Sequence, residues 1–435
     1  MVGTGSSFGS DPARAIPAGR VARGRVRLPG SKSASHRHLN LALLAQRPVA
    51  LDGLLAADDI GHFLTALEQM GWLVEEEGTS TRLAPPVHPA AGGTVYAGNA
   101  GTLCRFLTAT LAAVPGRWIL DGAPRLRERP LGPLVSALRD LGARIRYRGH
   151  SGFPPLEIEG GELVGGRVAL DAGSSSQYLS ALLMAALVAR RPTEIAVEAL
   201  TSAPYVGLTL RAIDRWGGSA TFDGSTATIR PGMAAPERVA VPADDSAAAY
   251  PAAAAVLTGG DVELLGLDPE SGHGDRRMME ILERMGGEVS WSASGGLRVR
   301  GTGAPLQAVD QDMGDVPDQV PTLAALAPFA RGTTRIRNVG HLRIKESDRL
   351  AAMAAELARL GATVEELEDG LVVRGTWADA PPPSEPVTVA TWDDHRIAMS
   401  LALVGLRRPG VTVADPGVVD KSYPGFWCDL EDLLS

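Results

Sequence analysis

The polar and apolar positions of this chain fall into a repeat. Five times a helical stretch ends in glycine and gives way to two short strand-like runs, as in "ALEQMGWLVEEEGTSTRLAP" and "ILERMGGEVSWSASGGLRVRG". The closing glycines are Gly71, Gly142, Gly217, Gly286 and Gly361, spaced by 71, 75, 69 and 75 residues. Glycine just past a helix suits a left-handed C-cap, where a side chain would clash. A second signature precedes each of these: a short strand, a small or polar turn, then an Ala/Leu-rich helix. It occurs six times, from "VRLPGSKSASHRHLNLALLA" to "VTVATWDDHRIAMSLALVGL", and a further strand such as "RWILDGAP" joins the two helices. The pattern predicts an α/β protein of six β-α-β-α-β-β units. Helices apolar on every side belong in an interior. The sixth unit has no closing strands of its own, and the N-terminal "GRVARGRVRLPG" is expected to complete it.

With 435 residues the chain is too long for one compact core, which predicts two domains. The balance of 45% hydrophobic to 21% charged residues is that of an ordinary soluble globular protein. The longest apolar run, Tyr178 to Ala189, falls short of the roughly 20 residues a membrane helix needs. Residues 1–18 carry Gly, Ser and Pro without the apolar segment of a secretory signal and are expected to form a loose tail. A cytoplasmic location is the expectation. A net charge of −8 argues against a nucleic-acid partner. Cys104 and Cys428 stand far apart with no CxxC, so the sequence suggests neither a disulfide framework nor a zinc site.

The candidate chemistry sits between strand ends and helix starts. A helix start exposes unpaired N–H groups and partial positive charge, which attract phosphates and carboxylates. A lone serine there reads as a cap. Cations change the picture. Lys32 and Arg37, Arg105 and Arg129, Lys345 and Arg349, Arg396 and Lys421 occupy equivalent loops or first turns of the repeat. Eight such cations in an acidic chain suggest a cleft for several anionic groups at once. The dipole contributes about 0.3–1 kcal/mol per terminus, against about 1.5–3 kcal/mol for each charged hydrogen bond, so side chains carry the affinity. "PGSKS" lacks the spacing of a nucleotide P-loop, and no metal-ligand cluster is evident. His395, beside Asp393 and Asp394, reads as a hydrogen-bonded histidine rather than a metal ligand. Asp318 and Glu346 read either as a cap and an ion-pair partner or as a base and an acid of the cleft.

These motifs, in order "LPGSKSASHR", "GNAGTLCRF", "RLRERPLG", "SSSQYLSALL", "TSAPYVGLTL", "VPDQVPTLAALAPFA", "RIKESDRL", "DDHRIAMSLAL" and "DKSYPGF", resemble the 5-enolpyruvylshikimate-3-phosphate synthase family. The resemblance covers nearly the whole chain from about Gly19. It implies a two-domain inside-out α/β barrel with three units per domain: an N-terminal lobe over 31–242, and a C-terminal lobe of 1–30 plus 243–435, with crossings near Gly30 and Pro242. It implies transfer of the enolpyruvyl group of phosphoenolpyruvate to the 5-hydroxyl of shikimate 3-phosphate, with no cofactor, no metal, no membrane or nucleic-acid partner, and a monomer. The shikimate 3-phosphate contacts implied are Lys32, Ser33, Arg37, Ser175, Ser176 and Gln177, with Ser202, Tyr205, Asp318, His341 and Lys345. The phosphoenolpyruvate contacts implied are Lys32, Asn99, Gly101, Arg129 and Gln177, with Arg349, His395, Arg396 and Lys421. Asp318, Glu346 and Lys32 are the implied proton movers.

The chain departs from the family where His36 and His341 replace a frequent Asn, and where Phe106 replaces a Pro of some members. A titrating His341 is expected to make substrate affinity depend on pH. Gly101 is the small residue of glyphosate-sensitive members, so glyphosate is expected to compete with phosphoenolpyruvate. Two rival readings are the sister UDP-N-acetylglucosamine enolpyruvyl transferases and a non-catalytic anion-binding scaffold. The sister family has a Cys in a loop that reads "GAPRLRERP" here, without one. A scaffold would not need acids among its anions.

Overall fold

The structure, a computed structural model, describes residues 13–435. Five four-stranded sheets and a three-stranded one follow a single plan. In one of them Gly92–Tyr96 runs parallel to Gly116–Asp121, and the hairpin of Arg144–Tyr147 and Leu156–Gly160 is added antiparallel. The strands alternate as half-buried strands should: in Gly166–Ala172 the side chains of Val168, Leu170 and Ala172 are buried while Arg167, Ala169 and Asp171 face solvent. The Ala/Leu-rich helices lie beneath the sheets. In Asp245–Thr258 every residue from Asp245 to Leu257 is buried. Helices thus form the interior and sheets the wall. The closing glycines Gly71, Gly142, Gly217, Gly286 and Gly361 have φ of 88, 98, 61, 108 and 89°, the left-handed region expected of them.

Buried apolar residues gather into two cores. One takes residues from Leu39 to Val239; the other takes Ile16 to Leu28 together with Ala243 to Leu434. The two lobes exchange strands. Arg23–Arg27, which leads into the helix Lys32–Ala45, pairs with Asp261–Leu265 of the second lobe. Arg238–Ala240, which leads into Asp245–Thr258, pairs with Val49–Asp52 of the first. The two crossing segments lie antiparallel and bridge at Gly30 and Ala243, with Ser31 N–H on the Pro242 carbonyl at 2.8 Å and Asp244 N–H on the Pro29 carbonyl at 2.9 Å. The fit is tight: a Cβ on Gly30 would fall 1.9 Å from the Gly53 carbonyl oxygen.

Two expectations about the N-terminus need correction. The stretch over 19–30 completes the fourth unit, not the sixth. The sixth sheet is completed by Arg14–Ala15, antiparallel to Val411–Val413, which runs parallel to Val387–Val389. Residues 13–18 are therefore no loose tail. Ile16 is buried against Gly405, where a Cβ would sit 2.6 Å from that of Ile16. Residues 1–12 of the expected tail lie outside the described residues. Among the described residues no helix is long and apolar enough to cross a membrane.

Candidate active site

Helix starts from both lobes meet in one cleft. The first lobe lines it with Lys32, Ser33, Arg129, Ser175, Ser176, Gln177, Ser202 and Tyr205; the second with Asp318, His341, Lys345, Glu346, Arg349 and Arg396. Thr102, Ser174, Thr201 and Pro317 complete the lining. Local sequence explains the placement. Ser31 caps the helix Lys32–Ala45 through the Ala34 N–H, Ser175 Oγ accepts from the Gln177 N–H, and Pro317 begins the turn that carries Asp318. Ser202 adopts a left-handed φ of 54°, a strained region for serine, and its Oγ donates to the Gly314 carbonyl of the other lobe at 3.3 Å.

On the second lobe Arg349 is the hub. It is 1% exposed and donates to Asp394 from Nε at 2.7 Å, to Asp318 from Nη1 at 2.9 Å and to Glu346 from Nη2 at 3.0 Å. Arg396 adds a second guanidinium on Asp318 at 2.8 Å, and Arg129 of the first lobe approaches Glu346 at 3.5 Å. Burial alone would raise the pKa of Asp318, but Arg396, then Arg349 and Lys345, hold it far below the carboxylate range. Glu346 is likewise held well below its ordinary value: burial is outweighed by Arg129, Arg349, Lys421 and Lys32. Both acids are carboxylates in this arrangement. Burial brings the Lys345 ammonium down to about 8, with Asp318 and Glu346 opposing.

On the first lobe Arg129 packs over the start of Gly101–Ala113. A Cβ on Gly101 would lie 2.4 Å from its Cζ. Gln177 is fixed by Arg105, which donates to its Oε1 at 2.7 Å, and by Thr102, which accepts from its Nε2 at 2.9 Å. Asp59, which sequence reasoning missed, lies within 3.5 Å of both Lys32 and Lys421 and so bridges the lobes. Burial opposes its ionisation, yet Lys421 and Lys32 hold its pKa low. Lys421 also donates to the Asn99 carbonyl at 3.0 Å, and Arg125 clamps the carbonyls of Lys345 and Arg343 at 3.2 Å.

Four expected residues behave differently. Arg37 lies behind the cleft wall, donating to the Ser33 carbonyl at 2.8 Å, the Tyr205 carbonyl at 2.9 Å and Thr209 Oγ1 at 2.9 Å. It steadies two cleft residues rather than lining the cleft. Asn99 contributes its backbone carbonyl, to Lys421 and to Arg129. His395 is fully buried with neither ring nitrogen hydrogen-bonded, so the expected hydrogen bond is absent; burial, then Lys32 and Arg396, press its pKa well down. His341 lines the cleft, but burial and then Lys345 bring it to about 4, so it is neutral at physiological pH and gives no switch there. His36 too is buried and unpartnered, pushed to about 3 by burial first. The Cys104 thiol is buried and raised to about 12 by that burial, so it stays protonated.

Asp275, also missed, ties the lobes at the cleft floor. It is 0% exposed and accepts from Tyr205 Oη of the first lobe at 3.1 Å, from Gln319 Nε2 at 3.1 Å and from Ser246 Oγ. The signal for both missed acids was their position: each stands at the start of the second helix of its unit, where Arg129, Tyr205, Arg349 and Lys421 stand in theirs.

A cleft with paired acids on shared guanidinia is suited to holding two polyanionic molecules and moving protons between them. Comparison with known proteins gives a consistent result. A family model described as EPSP synthase (3-phosphoshikimate 1-carboxyvinyltransferase) matches residues 17–430. A 3-phosphoshikimate 1-carboxyvinyltransferase of Syntrophobacter fumaroxidans is 45% identical over 421 residues, covering 95% of this chain and 97% of that protein. One from Bordetella bronchiseptica is 42% identical over 439 residues, covering 97% and 98%. A solved EPSP synthase of Acinetobacter baumannii superposes with a TM-score of 0.80 at 28% identity, covering 97% of this chain and 98% of that one.

Proposed function

The chain belongs to the EPSP synthase (3-phosphoshikimate 1-carboxyvinyltransferase) family, and from that premise we propose how its cleft divides the work. The protein transfers the enolpyruvyl group of phosphoenolpyruvate to the 5-hydroxyl of shikimate 3-phosphate, releasing phosphate through a tetrahedral ketal, on the route to chorismate and the aromatic amino acids. In our reading, shikimate 3-phosphate is gripped by Ser33, Ser175, Ser176, Gln177, Ser202, Tyr205, His341 and Lys345. Phosphoenolpyruvate is held by Arg129, Arg349, Arg396 and Lys421 beside Gly101, and Lys32 serves both. The carrying observation is that Asp318 and Glu346 share Arg349, at 2.9 and 3.0 Å. A substrate anion arriving at these guanidinia displaces the protein's own carboxylates, which raises their proton affinity.

The chemistry then follows. Glu346, once relieved of its arginines and protonated, delivers a proton to the methylene carbon of phosphoenolpyruvate, and C2 becomes cation-like. The 5-hydroxyl oxygen bonds to C2 as its proton passes to Asp318. In the second half the C2–O bond to phosphate breaks and the methyl group returns one proton, restoring the double bond. Lys32 lies next to both substrates and neutralises the phosphate as it leaves. Holding the two reactants in register supplies a further part of the rate. The expected result is phosphate release with shikimate 3-phosphate and none with UDP-N-acetylglucosamine; Glu346→Gln with undiminished turnover would defeat the assignment of the acid.

Below about pH 8 the Lys345 ammonium is charged and grips the 3-phosphate; above it the charge is lost. The kcat/KM for shikimate 3-phosphate should fall about tenfold per pH unit on the alkaline side, and Lys345→Arg should remove that limb. A pH profile unchanged by the substitution would discharge Lys345 from the role. For Gly101→Ala, the added methyl must push the Arg129 guanidinium aside. Losing one charged hydrogen bond, about 1.5–3 kcal/mol, should raise KM for phosphoenolpyruvate roughly tenfold or more, with little change for shikimate 3-phosphate. Glyphosate is expected to compete with phosphoenolpyruvate, and mixed inhibition would contradict that placement. We also propose a cytoplasmic monomer of two lobes, 31–242 and 1–30 plus 243–435. In support of the two lobes, the buried apolar residues form two separate cores over these spans; a dimer on size-exclusion chromatography would refute the monomer.

A further inference from the structure

A second cavity lies at the strand exchange, behind the wall of the substrate cleft. It offers about 70 Å³ to the centres of water-sized molecules between the helices Lys32–Ala45 and Pro204–Arg215 of the first lobe and the segment 268–273 of the second. The wall between the two spaces is thin: Tyr205 lines the cleft, His273 lines the cavity, and their rings meet edge to face at 5.4 Å. The floor offers donors. His273 is 5% exposed, its Nδ1 accepts the Asp275 N–H at 3.2 Å, and its Nε2 has no partner. His38 is 3% exposed and its Nδ1 accepts the Trp216 indole N–H at 3.1 Å. An imidazole that accepts at Nδ1 carries its proton on Nε2, so each ring presents an N–H.

Charge is divided between the lobes at the mouth. Arg211 and Arg215 stand on the first-lobe helix, with the Arg211 guanidinium against Gly272, where a Cβ would lie 2.7 Å from Cζ. Asp268 and Glu270 stand opposite on the second lobe. Asp245 also lines the cavity but is already paired with Arg276. Between donors and acids runs an apolar surface of Ala34, Leu208, Ala212 and Pro242. Such a cavity, apolar with a few convergent polar groups, has the make-up of a small-molecule site.

We propose that this cavity is a second ligand site, taking a zwitterionic amino acid with an apolar side chain and favouring the arrangement in which the two lobes meet. The carboxylate accepts from the His273 Nε2–H and from Arg211, the ammonium donates to Asp268 and Glu270, and the side chain lies on Leu208 and Ala212. Because the two walls belong to different lobes, a ligand touching both is coupled to anything else that draws the lobes together.

Calorimetric titration of the full chain tests this, with alanine, leucine and phenylalanine as graded probes. Isocaproate, which lacks the ammonium of leucine, and isoamylamine, which lacks the carboxylate, are the controls. One of the three amino acids should bind one-to-one at millimolar concentration. For leucine, Arg211→Gln and Glu270→Gln should each weaken binding roughly tenfold, as should removal of either ligand charge, while turnover without amino acid stays unchanged. Shikimate 3-phosphate should tighten amino-acid binding, and the amino acid should tighten shikimate 3-phosphate by the same factor. No binding by any of the three overturns the proposal. So does binding unaffected by both substitutions, isocaproate binding as well as leucine, or competition with shikimate 3-phosphate, which would put the amino acid in the substrate cleft.

Discussion

Replacing Asp318 by asparagine is expected to lower kcat by about 10²–10⁴-fold, the span of a positioned proton acceptor, while changing the dissociation constant of shikimate 3-phosphate only a few-fold. Asparagine keeps the size of the side chain and can still accept from one guanidinium. What it loses is the negative charge and the capacity to take a proton. Asp318 accepts from Arg349 at 2.9 Å and from Arg396 at 2.8 Å, and with those cations in place it is a weak base. In the proposed mechanism its basicity rises when the substrate anion claims the same arginines, so that the arrival of phosphoenolpyruvate would activate the group. Steady-state phosphate release gives kcat, and fluorescence titration gives the binary affinity. A variant with kcat within a few-fold of the parent would take Asp318 off the proton path.

The same sharing explains what could be read from the residues alone. The six units were legible because both helix types and the closing glycines repeat locally, and local pattern is what a single chain displays. The strand exchange was harder. "RGRVR" and "RVA" have the same strand–turn–helix form as their counterparts, and nothing local tells which sheet each will join. Only Val26 of Arg23–Arg27 is buried, so that strand carries little pattern with which to fix its partner. Cations were legible because eight of them in equivalent loops of an acidic chain need a reason, although Arg37 and Arg105 brace cleft residues from behind rather than line the cleft. Acids were half legible. Asp59 and Asp275 look like ordinary first-turn acids, and only tertiary structure sets Asp59 between Lys32 and Lys421 and Asp275 against Tyr205. The downward shift of His341 was not legible because its largest cause is burial, which local pattern does not display.

Asp394→Ala should lower stability by about 3–5 kcal/mol, the cost of leaving a buried charge short of its partner. Asp394 is 0% exposed and makes four contacts: Arg349 Nε at 2.7 Å, Arg349 Nη2 at 3.3 Å, Ser347 Oγ at 3.1 Å and the Arg396 N–H at 2.9 Å. It therefore caps the helix His395–Gly405 and aims one of the arginines assigned to phosphoenolpyruvate. Asp394→Asn keeps the cap and one hydrogen bond to Arg349 but not the charge, so its loss should be smaller, and the difference between the variants isolates the ion pair. Urea unfolding at unchanged slope measures both. If the proposed assignment of Arg349 to phosphoenolpyruvate holds, that ligand should recover part of the lost stability, since it would bind the folded state and bring its own anion to the guanidinium. If Asp394→Ala unfolds at the parent's midpoint, the buried carboxylate is not what holds Arg349 in place, and the guanidinium hub must rest on Asp318 and Glu346 alone.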